Sequence, residues 1–159
     1  MIPISALIGC SLLFANLLPL HAGGESAKIV RVKYEEYDPR KPLRTADPMI
    51  SFERKHLLYG AITSEDYFAR AGKYYTIIWK CKERSAYDVV VRFEYITAKT
   101  GAEIHVQEIV PEKLRMTNTT DFQVIGEEWE EKGQVIAWKA SILRAGEVVD
   151  VSRSYLWKD

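Results

Sequence analysis

The chain has 159 residues, with 22 basic and 22 acidic side chains that give a formal net charge of zero, and 47% of its residues are hydrophobic. This length fits one domain of the usual size, on the order of 100–150 residues. Balanced charge provides no overall field to attract nucleic acid or an anionic membrane, and the hydrophobic content excludes a disordered chain. The composition therefore predicts one packed globular domain with no nucleic-acid partner.

The first 22 residues differ from the rest of the chain. They contain no Asp, Glu, Lys or Arg and are rich in Leu, whereas charged residues begin at Glu25. This pattern predicts a secretory signal peptide at residues 1–22, cleaved after Ala22 or Gly24, followed by a single domain at residues 23–159. The absence of a basic residue before the apolar run departs from the usual signal pattern. We expect the mature protein to be extracytoplasmic, either periplasmic or secreted.

Two alternatives for the same segment keep the protein tethered to a membrane. Leu7-Ile8-Gly9-Cys10 is similar to a bacterial lipobox, which would make Cys10 a lipidation site. An uncleaved anchor is the other alternative, because about 20 apolar residues can just span a bilayer. Pro19 and Asn16 count against that anchor. Membrane contact is expected through this segment alone.

The first half of the remaining chain predicts two strands and one helix. Between Lys28 and Tyr37, apolar and charged residues alternate, with Val30, Val32 and Tyr34 on the apolar side. A second strand is predicted around Ile50–Tyr59. Thr63 or Ser64 caps a short helix over Glu65–Ala71, because an acid three residues after Thr63 is typical of a capping box.

The second half predicts six strands: a single strand, then two hairpins with a short strand between them. The predicted strands are Tyr74–Lys82, Val89–Tyr95 with a partner near Ile104–Gln107, Phe122–Ile125, and Val135–Leu143 with Val148–Trp157. Turns at Lys99-Thr100-Gly101 and Arg144-Ala145-Gly146-Glu147 join the two hairpins. In the second strand of the first hairpin, Ile104 and Val106 are expected to face the core, with His105 on the solvated side.

About seven strands with one short helix near residues 65–71 predict an all-β fold, an antiparallel two-sheet sandwich. The pattern over Lys73–Trp157 resembles immunoglobulin-like and fibronectin-type-III-like domains. The resemblance depends on the strand bearing Trp79, the two successive hairpins, and the terminal Tyr155-Leu156-Trp157. The paired cysteines of antibody domains are absent. The resemblance implies a binding, spacer or assembly module outside the cytoplasm.

Short catalytic and metal-binding motifs are absent from the sequence. There is no G-x-S-x-G, H-E-x-x-H, P-loop or G-x-G-x-x-G sequence. His56 and His105 are far apart in the chain and lack the spacing of a zinc site, so no metal and no cofactor are expected. Cys81 alternates with Ile77 and Trp79, which indicates a buried thiol in the core.

Two polar segments have both a functional and a structural interpretation. Glu127-Glu128-Trp129-Glu130-Glu131 could bind calcium or a basic partner, but it lacks a calcium-loop pattern and is expected to be a solvated connection between strands. Asn118-Thr119-Thr120 matches the N-glycosylation acceptor and is expected in a polar loop before Phe122.

Aromatic side chains remain as candidates for recognition. Trp129, flanked by four glutamates, is the aromatic residue least explained by burial, and Tyr34 and Tyr37 are the next candidates for binding a partner. The leading hypothesis is a non-catalytic module that binds or assembles with a protein or glycan in the cell envelope. A carbohydrate-binding module with exposed aromatic rings and an unrecognised hydrolase are the alternatives.

Overall fold

The computed structural model describes residues 27–41, 47–82 and 88–158, which form seven strands and three helices. The predicted signal peptide and Cys10 lie outside the described residues. In chain order the elements are β1 (Ala27–Tyr37), α1 (Pro48–Leu57), α2 (Ser64–Ala69), β2 (Gly72–Cys81), β3 (Val89–Thr97), β4 (His105–Ile109), β5 (Thr117–Ile125), α3 (Glu127–Lys132), β6 (Val135–Arg144) and β7 (Glu147–Arg153). The predicted all-β class is confirmed.

The strands form two antiparallel sheets. One sheet has the order β1-β2-β5 and the other has the order β4-β3-β6-β7. The two predicted hairpins, β3–β4 and β6–β7, both lie in the second sheet. This arrangement confirms the antiparallel two-sheet sandwich and makes β1 an edge strand of the first sheet.

The core lies between the sheets because alternate residues of the central strands are apolar. In β2, Tyr75, Ile77, Trp79 and Cys81 are buried, as predicted from their spacing. The inward side chains of β3 are Val89, Val91, Phe93 and Tyr95, all of them buried. Full burial of one such aliphatic or aromatic side chain stabilises the fold by about 1.5–3 kcal/mol.

Polar atoms inside the core have partners. The indole Nε1 of Trp79 donates to the Thr120 hydroxyl at 3.0 Å, which allows a large polar-tipped ring to be fully buried. The Phe93 ring stacks on Phe122 from the opposite sheet, with ring centroids 5.3 Å apart. The first contact joins β2 to β5 within one sheet, and the second packs the two sheets against each other.

Bulges change which side chains face the core. In β1 the register with β2 shifts between Ile29 and Arg31, so Val30 is an extra residue and is exposed. Ile29 before the bulge is buried, and Val32 after it packs against the core. The predicted core face of Val30, Val32 and Tyr34 is therefore confirmed for Val32 and wrong for Val30 and Tyr34, which are both exposed. A second bulge, in β6, leaves Ile136 exposed.

The strand predicted around Ile50–Tyr59 is wrong, because this segment forms α1. The Asp47 carboxylate accepts a hydrogen bond from the Met49 backbone N–H at 2.8 Å, and Pro48 occupies the first turn. These two residues are a helix start signal.

The second helix confirms the prediction: Thr63 and Asp66 form a capping box at the start of α2.

The third helix corrects the interpretation of the acidic cluster. Residues 127–132 form the connection between β5 and β6 with exposed glutamates, as expected, but the connection is a helix, α3, and it buries Trp129. Glutamates in its first turn interact favourably with the positive end of the helix dipole. The prediction of one short helix near residues 65–71 therefore missed two helices, α1 and α3.

The face of β4 that packs against the sandwich is the opposite of the predicted one. His105 pairs with buried Tyr95 and is nearly covered, whereas Ile104 and Val106 are exposed. Their assignment to the core was wrong. The side chains on the packed face of β4 are polar instead. One of them is Gln107, whose amide donates to the Gln123 carbonyl of β5 at 3.2 Å.

No helix within the described residues is both long enough and apolar enough to span a bilayer.

Candidate interaction surface at the edge of β1

The three aromatic residues predicted to bind a partner have very different exposures. Tyr34 is 66% exposed, Tyr37 is 5% exposed and Trp129 is 6% exposed. The Tyr37 ring is covered by the Arg54 guanidinium, which lies 5.3 Å from the ring centroid. The expected exposure of Trp129 was wrong because α3 turns this side chain inward. Tyr34 is therefore the predicted residue that a partner can reach.

Tyr34 lies in β1, an edge strand of the first sheet. On one side of the molecule, the edges of β4 and β5 are bridged by the hydrogen bond from Gln107 to Gln123. On the other side, the Asp150 carboxylate of β7 accepts a hydrogen bond from the Ile29 N–H of β1 at 2.6 Å. This contact and the bulge at Val30 protect the first half of β1.

The second half of β1, from Arg31 to Tyr37, is open. Among the described strands it pairs with β2 alone. Every second backbone N–H and C=O of an edge strand points away from the sheet and is available to another chain. We refer to Arg31–Tyr37 as the open edge.

A groove lined by aromatic and aliphatic residues follows the open edge on the side that faces the second sheet. Its volume is about 370 Å³. The lining residues are Tyr34, Lys73, Tyr75, Val135, Ile136, Trp138, Ser154, Tyr155 and Leu156, which we call the aromatic groove. Tyr155 is 99% exposed, and Leu156 and Ile136 are also exposed.

Ring contacts fix the floor of the aromatic groove. The buried Tyr75 ring lies 6.3 Å from the Tyr34 ring and 6.2 Å from the Trp138 ring, tilted by 41° and 59°. Tilted contacts at these distances are favourable for aromatic pairs. The groove therefore combines a rigid aromatic floor with exposed apolar walls, a surface suited to an apolar side chain.

A second concave surface lies on the other face of the open edge, beneath α1. Its volume is about 490 Å³. The lining residues are Val32, Lys33, Tyr34, Glu35, Phe52, Glu53, His56, Leu57, Tyr74 and Thr76, which we call the α1 cleft. Lys33 and Glu35 face it because side chains alternate along β1.

Helix α1 is held over the sheet by a few polar contacts. The Arg70 guanidinium donates to the backbone carbonyls of Leu57 at 2.9 Å and Tyr59 at 2.7 Å. The Tyr74 hydroxyl donates to the Arg70 carbonyl at 2.7 Å. No residue of α1 is buried, so the helix forms a wall of the cleft without contributing to the core.

The α1 cleft contains two carboxylates for which no salt bridge is seen within the described part of the chain. Neither Glu35 nor Glu53 forms an ion pair with a residue in the described part of the chain. Burial raises the pKa of Glu35, the charge of Glu53 raises it further, and the Arg54 guanidinium lowers it. The cleft therefore has acceptor capacity for a positively charged group.

The two histidines have separate positions. His56 lines the α1 cleft but forms no hydrogen bond with Glu35 or Glu53 in the described structure. A nucleophile and base in hydrogen-bond contact, which hydrolytic chemistry uses, are not seen among the cleft residues described. Within residues 27–41, 47–82 and 88–158, no three His, Cys, Asp or Glu side chains are placed to hold a metal ion.

His105 belongs to a polar cluster that anchors α3. Its Nε2 lies 3.2 Å from the Thr100 hydroxyl, and its ring packs on Tyr95. The Tyr95 hydroxyl and the Lys132 ammonium both donate to the Glu128 carboxylate. Burial opposes ionisation of Glu128, but these two hydrogen bonds bring its pKa below the usual value. These contacts give the cluster a structural role.

The glycosylation motif lies in a strand, so its predicted position in a loop was wrong. Asn118 is the second residue of β5, and its side chain is buried. Its amide Nδ2 donates to the Arg115 carbonyl and its Oδ1 accepts from the Arg115 N–H, both at 2.7 Å. The attachment nitrogen is therefore used in a structural turn.

Sequence reasoning identified Tyr34 but missed the other surfaces around the open edge. Ile136 is exposed by a bulge, and Tyr155 and Leu156 follow the end of β7. Glu35 and Glu53 come together because α1 folds back over β1. A signal for this existed in the sequence, since Asp47-Pro48 marks the start of a helix.

The chain matches no protein-family model, and no curated protein and no solved structure is significantly similar to it.

Proposed function

We propose that this protein is a non-catalytic binding module that docks an extended segment of a partner protein along the open edge of β1. One observation carries the proposal: Arg31–Tyr37 pairs on one side with β2 and presents its other side between two concave surfaces. Strand addition uses backbone hydrogen bonds for affinity and flanking pockets for specificity.

The sandwich supports this role by keeping the open edge rigid. Tyr34 and Tyr37 pair with Tyr75 and Gly72 of the central strand β2, which is itself paired with β5. A preformed edge loses little conformational entropy when a partner strand is added. Natural proteins usually protect such edges. The open edge of β1 has neither the bulge nor the contact with Asp150 that protects the first half of the strand.

Export and kinship with immunoglobulin-like domains are part of the proposal. The apolar segment at residues 1–22 supports export to an extracytoplasmic compartment. The first, second and fifth strands share one sheet, and the third, sixth and seventh share the other, which is the distribution of strands A, B, E and C, F, G in immunoglobulin domains. Intact-mass measurement of the exported protein tests whether residues 1–22 or 1–24 are removed.

The test of strand addition uses hydrogen exchange and a defined probe peptide. The probe is a nine-residue acetylated and amidated peptide that alternates Val with Thr. We expect it to slow amide exchange in Arg31–Tyr37 of the protein. The matched control is the same peptide with alternate backbone nitrogens methylated, which removes the donors along one edge. Equal binding of both peptides, or no slowing in Arg31–Tyr37 at millimolar peptide, would overturn the proposal.

A glycan is the second candidate ligand because Tyr34 and Tyr155 are both exposed in the aromatic groove. Aromatic rings beside polar groups bind sugar rings through their apolar faces. Titration with cellohexaose and chitohexaose, read from the intrinsic tryptophan fluorescence to which Trp138 in the groove contributes, tests this candidate. Saturable binding that Tyr155→Ala abolishes would support it, and an unchanged spectrum would exclude these glycans.

A further inference from the structure

We infer that the partner segment alternates apolar and basic side chains, with the apolar residues in the aromatic groove and a Lys or Arg in the α1 cleft. This inference rests on the proposed function. It goes beyond it by naming the side-chain chemistry that the open edge selects.

The alternation follows from the geometry of a strand. Successive side chains of an added strand point to opposite faces of the sheet. On β1, Tyr34 marks the face with the aromatic groove and Glu35 marks the face with the α1 cleft. Adjacent residues of a partner strand beside them therefore enter different surfaces, one on each side of β1.

The aromatic groove selects an apolar side chain. Trp138 and Tyr75 form its floor, and Ile136, Tyr155 and Leu156 are exposed in its walls. The charged residue in its lining, Lys73, already has a hydrogen-bond partner, because its ammonium donates to the Val135 carbonyl at 3.1 Å. Burial of apolar area is the main favourable term in such a groove.

The α1 cleft selects a positively charged side chain. Glu35 and Glu53 supply two carboxylates without ion-pair partners among the described residues, beside the rings of Phe52 and Tyr74. Carboxylates and aromatic faces together suit an ammonium or guanidinium group.

Other charged groups around the α1 cleft do not cancel this preference. Lys33 and His56 also line it, so the two carboxylates of Glu35 and Glu53 share the cleft with one lysine ammonium. Arg54 lies outside the lining, with its guanidinium over the Tyr37 ring; it lowers the pKa of Glu35 but forms no ion pair with it among the described residues. The chain as a whole has no net charge, so a preference for a basic peptide must be local.

The experiment compares three peptides that differ at alternate positions. Each has nine residues, with Val at odd positions and Lys, Gln or Glu at even positions. Affinity is measured by calorimetry, and the bound site by hydrogen exchange on the protein. We expect the Lys peptide to bind about tenfold more tightly than the Gln peptide, and the Glu peptide to bind most weakly, all with slowed exchange in Arg31–Tyr37.

Two variants assign the preference to the α1 cleft. Glu53→Gln should reduce the advantage of the Lys peptide over the Gln peptide, because one of the two carboxylates of the α1 cleft loses its charge. The control Glu65→Gln removes an equally exposed carboxylate from α2, outside the cleft, and should preserve the advantage.

The outcomes separate this inference from the proposed function. If all three peptides slow exchange in Arg31–Tyr37 with equal affinity, the charge preference is wrong and strand addition stands. If Glu65→Gln has the same effect as Glu53→Gln, the preference comes from the general field and the inference is overturned. If no peptide slows exchange in Arg31–Tyr37, both fail.

Discussion

The two halves of β1 are built differently although they belong to one continuous strand. In the first half, Ile29 is buried, its backbone N–H is bound by the Asp150 carboxylate, and Val30 forms a bulge. In the second half, Arg31–Tyr37 pairs regularly with β2. Its other edge lies between the aromatic groove and the α1 cleft. The first half of β1 covers one side of the sandwich core. The second half has backbone groups along one edge that pair with no other described strand.

This difference shows how a small sandwich can keep one edge open without losing its fold. The cost of an open edge is the risk of association with other chains, which bulges and side-chain contacts normally prevent. The contact of Asp150 with Ile29 protects the first half of β1, next to the core. The second half of β1 takes no part in this contact. Mutations in the two halves should therefore separate stability from binding.

The largest expected effect concerns the paired side of the open edge. Gly72 lies opposite Tyr37 and has a φ of 147°, and an added Cβ would lie 2.2 Å from the Val124 carbonyl oxygen. Gly72→Ala should lower the free energy of unfolding by about 3 kcal/mol or more, measured by urea denaturation. The control Gly101→Ala also has positive φ but no described atom within 4 Å, and should cost about 1–2 kcal/mol. Equal losses would show that the contact with Val124 is unimportant.

The second effect concerns the protected first half. Asp150→Ala removes the charged acceptor of the Ile29 N–H, and should lower the free energy of unfolding by about 2 kcal/mol. It should also speed amide exchange at Ile29. The control Asp121→Ala removes an exposed carboxylate that accepts from the Thr76 hydroxyl, and should cost less than about 1 kcal/mol. An unchanged stability in Asp150→Ala would remove the distinction between the halves.

Much of the fold was predictable because local patterns and tertiary packing agree. The alternation in β2 and β3 marks the same residues that the core buries, and Thr63 with Asp66 caps α2 in both. The turn at Ala145-Gly146 has φ values of 50° and 82°, which suit a tight hairpin. Local preference alone was sufficient in these places.

The errors arise where a single residue changes the pattern. The bulges at Val30 and Ile136 reverse the inward face within one strand, which periodicity does not reveal. Ile50 to Glu53 alternates apolar and polar residues like a strand, yet the cap at Asp47 starts a helix. Trp129 has acidic neighbours in sequence, but helical geometry directs them away from its ring. Tyr34 was predicted from the sequence as a site residue, but the aromatic groove around it was not. The groove joins segments more than 100 residues apart in the chain, from Tyr34 to Tyr155, and local patterns do not reveal such contacts.

The third effect concerns the exposed side chain of the open edge. Tyr34→Ala removes a ring that is mostly in solvent and contacts Tyr75 at its edge, so the free energy of unfolding should fall by about 0.5–1 kcal/mol. The affinity for the Val–Thr probe peptide should fall at least tenfold, measured by calorimetry. Tyr34→Phe keeps the ring and should retain both properties. A stability loss as large as that of Asp150→Ala would mean that Tyr34 is structural.

The smallest effect concerns the charge in the α1 cleft. Burial and the nearby Glu53 raise the pKa of Glu35 above its usual value of 4.5, so the folded state binds this proton more tightly than the unfolded state. The resulting contribution favours folding at low pH and is lost as the pH rises through the raised pKa.

Glu35→Gln removes this penalty, and the variant should equal or exceed the parent in stability at pH 7 by no more than about 0.5 kcal/mol. The advantage should disappear at pH 4, because Glu35 is then protonated in the folded protein. Urea denaturation at both pH values checks the sign, with Glu65→Gln as the exposed control. A variant that is less stable at pH 7 would show that the Glu35 carboxylate stabilises the fold, and the α1 cleft would then have no spare negative charge for a basic partner residue.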